Sequence, residues 1–295
     1  NVDQGTGFNS IQTAVKNANA GNTIAVGSGT FDESVTIDVD GLTLEGPNAG
    51  LAGDSGQRGA EAVVNLSNSE EVSVAATGVT INGLSFEFAE QAVYSESGSS
   101  DSLYTNNRFE MVDGESSDKY AIRIEGDTTG TDVTDSLFTD IESTDGTNGD
   151  NVNGVVVRSP NGTTISGNVF SSVDTAVNAG DESPEAGAFV VENNEFSNIT
   201  QFGAVALVNG DAGLDADINN NTIESSRIGI GVFAGDSSAT FSIQDNDFQN
   251  FANDEVFVDD QAGVLTLDDV LNTQGNMFDS NVIANDTLIF PSNPT

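Results

Sequence analysis

The 295-residue chain carries 47 acidic side chains against 7 basic ones, a formal charge of −40, and has no His, Cys or Trp. Seven scattered cations cannot build the basic face that displaces counterions from nucleic acid or docks on an anionic membrane. Imidazole and thiolate mechanisms, disulfides and the usual zinc sites fall away as well, leaving carboxylates, Arg, Lys, Tyr or a hard cation for any chemistry.

No apolar run reaches membrane-spanning length and no signal-peptide pattern opens at Asn1, so a soluble chain is expected, any export signal having been removed. The first element, within residues 8–21, reads as a short helix. Asn9 is placed as its cap, Gln12 at the capping-box position, Ile11, Ala14, Val15 and Ala18 on one apolar face, and Gly21 at its end. Short β-branched runs follow at Thr23-Ile24-Ala25-Val26, Val35-Thr36-Ile37 and Leu42-Thr43-Leu44. The polar, Gly-rich stretches Pro47 to Glu61, Ser95 to Ser102, Asp140 to Asn153 and Asp181 to Gly187 read as loops projecting from the body.

From residue 81 onward a motif recurs, apolar-x-Gly/Asn-Asn-x-Phe, as in Ile165-Ser166-Gly167-Asn168-Val169-Phe170 and Val191-Glu192-Asn193-Asn194-Glu195-Phe196. Its apolar anchors are Phe86, Phe109, Phe138, Phe170, Phe196, Ile223, Phe248 and Phe278, about 27 residues apart. After each comes a second short apolar run, such as Ala121-Ile122-Arg123-Ile124 or Val155-Val156-Val157, too short for a helix. Two or three short strands per period, coil on coil, describe a solenoid. Stacking at the strand spacing of roughly 4.8 Å would set the amides of Asn107, Asn168, Asn194, Asn221, Asn246 and Asn276 above one another as a ladder and the Phe rings inside as a column. Leu84 and Ser136 occupy the ladder position in two copies, so the ladder is expected to begin at Asn107 and to break once. Val282-Ile283 and Leu288-Ile289-Phe290 read as a last pair of strands, and residues 291–295 as a tail.

The repeat and the opening segment Phe8-Asn9-Ser10-Ile11-Gln12-Thr13-Ala14-Val15 resemble the right-handed parallel β-helix, or pectate-lyase-like, superfamily. The resemblance implies an all-β, single-stranded solenoid of about nine or ten coils over residues 22–290 in one domain of 1–295, its first coil covered by the N-terminal helix. The acid excess, with Lys16 and Lys119 the two lysines, resembles proteins of extreme halophiles, where molar salt shortens the screening length to about 3 Å.

No catalytic set is expected. Polygalacturonase-type sites need a His, and the resemblance to pectin methylesterases ends after the first coils: Gln91-Ala92-Val93 echoes one of their motifs, but the Asp pair and Arg-Pro-Trp element are absent. A lyase would need a cation and a basic residue. The arginines are Arg58, Arg108, Arg123, Arg158 and Arg227; Arg123 and Arg158 fall on equivalent strands of successive coils and point outward, where pairing with the surplus of carboxylates is the expected role. No cofactor is expected; a Ca²⁺ would find oxygen ligands at Asp259-Asp260, Asp268-Asp269, Asp211 to Asp217 or Asp145 to Asp150. Five Asn-x-Ser/Thr sequons make Asn65, Asn161, Asn198, Asn220 and Asn285 glycosylation candidates. The resulting expectation is a non-catalytic, secreted or cell-surface structural or adhesive β-helix in a high-salt environment, associating with itself, with other surface proteins or with glycans, and not with nucleic acid. A polysaccharide lyase, epimerase or hydrolase and a viral spike or tail-fibre domain are the alternatives. If salt screening holds the fold together, dialysis into low-salt buffer removes the β signal in circular dichroism; a signal unchanged by dialysis refutes the halophilic reading.

Overall fold

The computed structural model describes residues 7–67, 71–112, 118–143, 151–158, 161–180, 187–209, 214–234, 240–250, 254–260 and 276–278. Each coil lays strands on three faces, the second- and third-face strands running together in Val169–Ala179 and Glu195–Asn209, and strands pair in parallel with their equivalents one coil away. A nine-stranded sheet, from Thr23–Ala25 through Asp132–Thr134 to Thr240–Gln244, forms the first face. A 17-stranded sheet curls around the other two. Its second face carries the Phe positions, as in Ser85–Phe88, Arg108–Met111 and Leu137–Ile141. Its third face includes Val72–Val74, Gln91–Ser95, Asp118–Ile124 and Asn151–Val157. Parallel strands joined by crossovers take the right-handed sense, and the fold is a right-handed parallel β-helix. Among the described residues no helix is long and apolar enough to cross a membrane.

The bends follow from residue chemistry. The residue just before each ladder position takes a left-handed conformation, with φ between 49° and 73° at Gly83, Asn106, Asp135, Gly167, Asn193, Asn220 and Asp245. Glycine has no Cβ to clash there, and the short polar side chains of Asn and Asp are the others that tolerate it. The strained residue is thus the Gly or first Asn of the pair, which frees the second Asn for bonding. Asn194 shows the pattern: its Nδ2 donates to Ile165 O at 2.9 Å and to Asn221 Oδ1 at 3.0 Å, while its Oδ1 accepts from Asn168 N at 2.9 Å. The same thread runs from Asn168 through Asn221 and Asn246 to Asn276. At Ser136 the amide-to-amide link is missing, yet the thread continues. Ser136 Oγ accepts from Asn107 N at 3.1 Å, and Ser136 N donates to Asn168 Oδ1 at 3.0 Å. At the near end Asn107 Oδ1 accepts from Leu84 N, and Asn107 Nδ2 donates to Ile81 O.

Register lines up the core. Phe86, Phe109, Phe138, Phe170 and Phe196 pair residue on residue, their rings stacked with centroids 4.4–5.0 Å apart, and Ile223 and Phe248 continue the line as buried residues. Phe278 is aligned with Phe248 in backbone register. Such stacked pairs contribute about 0.5–1.5 kcal/mol each beyond the area they bury. Opposite the rings the third-face strands carry a small residue, and Gly154 shows why: a Cβ there would sit 2.6 Å from Ala176 O and 3.0 Å from the Phe170 ring.

Two details differ from the sequence reading. The helix is shorter, Ile11–Lys16, and its cap is Ser10, whose side chain accepts from Thr13 N. Glu33, from the first coil, completes the cap by accepting from Ser10 Oγ and from the N–H groups of Ile11 and Gln12. Those free donors at a helix start favour a carboxylate. Gln12 bonds both backbone groups of Thr36 and so stitches the helix to the edge strand Val35–Ile37. The helix thereby covers an edge that would otherwise present unpaired backbone. Residues 47–61 do not project but lie as a strap along the ladder corner. Gly53 N donates to Asp135 O at 2.8 Å, and a Cβ at Gly53 would lie 2.3 Å from Asn107 O. Arg58, its side chain 3% exposed, pairs with Glu61 at 2.8 Å and donates to Leu51 O and Asn106 O. Burial alone would raise the Glu61 carboxyl, but hydrogen bonds from Arg58 and Asn48 and the charges of Arg58 and Arg108 outweigh it and hold it below its usual value. The strands read at residues 282–290, the tail 291–295 and the loop at 181–186 lie outside the described residues.

Asn194→Ala leaves Asn168 N and Ile165 O without side-chain partners, at about 1–3 kcal/mol each. A loss of about 3 kcal/mol in denaturant unfolding is expected, against no measurable change for Asn220→Asp at the exposed neighbouring corner. Equal effects at the two positions would refute the ladder's role.

Candidate functional site

The outward side of the third face is where unlike residues gather. Tyr94 on Gln91–Ser95 is in register with Arg123 on Asp118–Ile124, and Gln91 with Tyr120. Between them Ala92, Val93, Ala121 and Ile122 are buried, so the two outward positions on each strand are three residues apart, not two. Arg123 therefore lies against both tyrosine rings, its guanidinium carbon 5.5 Å from each centroid. Its Nη2 pairs with Glu125. Arg158 does not sit beside Arg123 in register; Val156 does, and Arg158 falls two residues further on, its Nε 3.9 Å from the same Glu125 carboxylate. One acid thus bridges the two arginines.

These groups border a depression of about 340 Å³. Its carboxylates are Glu71, Glu90 and Asp118, and Gln91, Tyr94, Tyr120 and Arg123 complete the lining. Glu71 accepts from Gln91 Nε2 at 2.6 Å, which orients the amide. Burial raises the Tyr94 phenol above its ordinary value, and Glu125, Glu96 and Glu71 push the same way, against Arg123, which lowers it. Arg123 is held in place by its carboxylate partner and the two ring faces. The site offers the partly exposed Tyr94 ring, an amide and three acids around a Tyr120 that is itself 6% exposed. It gathers no comparable cationic surface.

The other sequence candidates lie elsewhere. Arg58 is locked in the strap, Arg108 sits on the second face in register with Ser85 and Leu137, and Arg227 follows the bend at Ser225. Asn65 donates to Asp32 Oδ1 at 2.6 Å. Asn161, Asn198 and Asn220 are exposed at bends, with Thr200 of the Asn198 sequon donating to the buried Asp174 carboxylate at 2.5 Å. Asn285, Asp268-Asp269, Asp145 to Asp150 and Asp211 to Gly213 lie outside the described residues; Asp259-Asp260 belong to the strand Asp254–Asp260. Sequence reasoning reached Arg123 and Gln91 but passed over Tyr94, Tyr120 and Glu71. The available signal was that two of the three tyrosines in the chain lie within a few residues of register with Arg123.

No protein-family model matches the chain. No curated protein matches it either. Among solved structures, the tailspike protein of E. coli bacteriophage HK620, described in complex with a pentasaccharide, is similar with TM-score 0.50 and 10% identity over 85% of this chain. This chain covers 59% of that one, less than two thirds of its length. Pectate lyase Pel9A gives TM-score 0.46 at 15% identity, over 92% of this chain and 80% of that chain. Pectin methylesterase from Aspergillus niger gives 0.44 at 14%, over 96% and 90%. At 10% identity the likeness to the tailspike is one of fold alone.

Removing the cation tests the electrostatics of the site. In an ultraviolet pH titration, Arg123→Ala is expected to move Tyr94 ionisation to still higher pH while leaving buried Tyr104, pushed up to about 12 chiefly by burial, in place. A Tyr94 midpoint that falls, or does not move, refutes the proposed contact.

Proposed function

We propose that this chain is the non-catalytic rod of a secreted or cell-surface protein that works in high salt and meets neutral glycans at the depression between Tyr94 and Tyr120. The observation that supports contact over chemistry is the state of Arg123. A lyase base must be free to meet the substrate proton, and this guanidinium is engaged by two rings and by Glu125. Aromatic faces with an oriented amide and acids nearby suit a sugar's mixed apolar and hydroxyl surface. Polyuronates fit poorly, because Glu71, Glu90 and Asp118 repel them within a chain of charge −40. Self-association or contact with other surface proteins would extend such a rod along its stacking axis.

A polysaccharide-active enzyme is the second reading, favoured by the presence of Glu71, Glu90 and Asp118 around one depression. A carbohydrate array in about 3 M salt, read for binding and for product release, separates the two. Neutral glycans are expected to bind without turnover, and Tyr94→Ala to weaken them about tenfold, or about 1.4 kcal/mol. Turnover of any glycan overturns the contact reading in favour of the enzyme. A chain that binds only polyuronates, or binds equally well without Tyr94, overturns the site assignment.

A further inference from the structure

The inward column at the start of the first-face strands is apolar at Val79 and again at Phe189, Ala216 and Phe241. Between them it is not. Ser102, Thr131 and Thr163 occupy the three intervening coils, where Leu103 N donates to Val79 O, Asp132 N to Ser102 O and Thr164 N to Thr131 O. All three side chains are buried, at 2%, 0% and 1% exposure. None of the three hydroxyls makes a hydrogen bond of good geometry to protein. Nearby, the Tyr104 phenol is fully buried and shares a hydrogen bond with Ser95 Oγ, and the hydroxyls of Ser95 and Ser102 act against the burial that raises it.

Buried hydroxyls without a well-aligned partner cost about 1–3 kcal/mol apiece, and three successive coils place one here, Ser102 having the Tyr104 phenol as its neighbour. Their spacing supplies the remedy. Equivalent atoms on adjacent parallel strands stand about 4.8 Å apart, too far for a direct bond. One water at about 2.8 Å from each of two such oxygens spans that distance at an angle of about 120°, its preferred geometry. Ser and Thr are much smaller than the Phe189 and Phe241 side chains that fill the same column further along.

We infer that the solenoid interior binds a closed file of water molecules, one between Ser102 and Thr131 and one between Thr131 and Thr163, stopped by Val79 at one end and Phe189 at the other. The file gives each hydroxyl a partner without breaking the coil register, and it makes this column a built polar site inside the core, separate from the Asn ladder.

Two measurements test the file. A diffraction structure at high resolution is expected to show ordered water within hydrogen-bonding distance of both oxygens in each gap; empty gaps, or direct bonds between the hydroxyls, overturn the proposal. Thr131→Val keeps the side-chain shape and removes the shared contact to both waters, so the unfolding temperature is expected to fall by about 3 °C. Thr131→Ser, which keeps the hydroxyl, is expected to retain both waters in its own diffraction structure. A Thr131→Val protein as stable as the parent, or more so, would mean that the hydroxyls are true orphans. Should that variant fail to fold, the parent's diffraction structure decides alone.

Discussion

In-register stacking of one coil on the next, at roughly 4.8 Å, is the constraint on which the rest of this protein depends. Once the coils are in register, a residue type that suits one coil suits its neighbours at the same position. The Asn amides then become each other's partners, the Phe rings each other's packing surface, and the left-handed bend residues each other's continuation. A slip of one residue would turn the Phe column outward and the acids inward, so register and burial enforce each other. Every exception to the repeat is accommodated locally, as Ser136 shows by passing the thread through its hydroxyl and its backbone N–H.

The same constraint sorts the charge. Inward positions are mostly apolar, hydroxyl-bearing or ladder amides, with Lys119 and Asp174 as buried charged exceptions, and acids such as Glu87, Glu110 and Glu224 occupy outward positions on the second face. A rod built in this way has a polyanionic coat because the repeat sends most acids outward; the buried Asp174 is held by Thr200 and Gln201 instead. Arg58 and Arg123 each meet a carboxylate, and each also holds a second part of the structure in place. Arg58 clamps the strap by binding two backbone carbonyls, and Arg123 stacks on Tyr94 and Tyr120. The depression on the third face is thus a break in a regular coat, made by a change in strand spacing between Gln91 and Tyr94 and between Tyr120 and Arg123.

Much of the fold was legible in the sequence because a repeat states the same fact many times. The Phe positions, the Asn positions and the short β-branched runs each recur at one period, and one physical rule, stacking, explains them together. The candidate site was less legible. Arg123 stood out as a rare cation, but Tyr94 and Glu71 lie on other coils, at separations in sequence set by loops of unequal length. Arg123 and Arg158 do come to the same face and share Glu125, but register sets Val156, not Arg158, beside Arg123.

By itself the sequence determined the solenoid, its inward columns and its acidic exterior, since these depend on local periodicity and on the gross balance of charge. Tertiary structure decided what periodicity cannot carry. Ser10 and Glu33 cap the helix because the first coil brings a carboxylate to its start. Residues 47–61 fold down as a strap because Arg58 finds backbone carbonyls on another coil. Tyr94, Tyr120 and Arg123 meet because two strands share a three-residue spacing between outward positions, and that spacing is fixed by packing on the core beneath them.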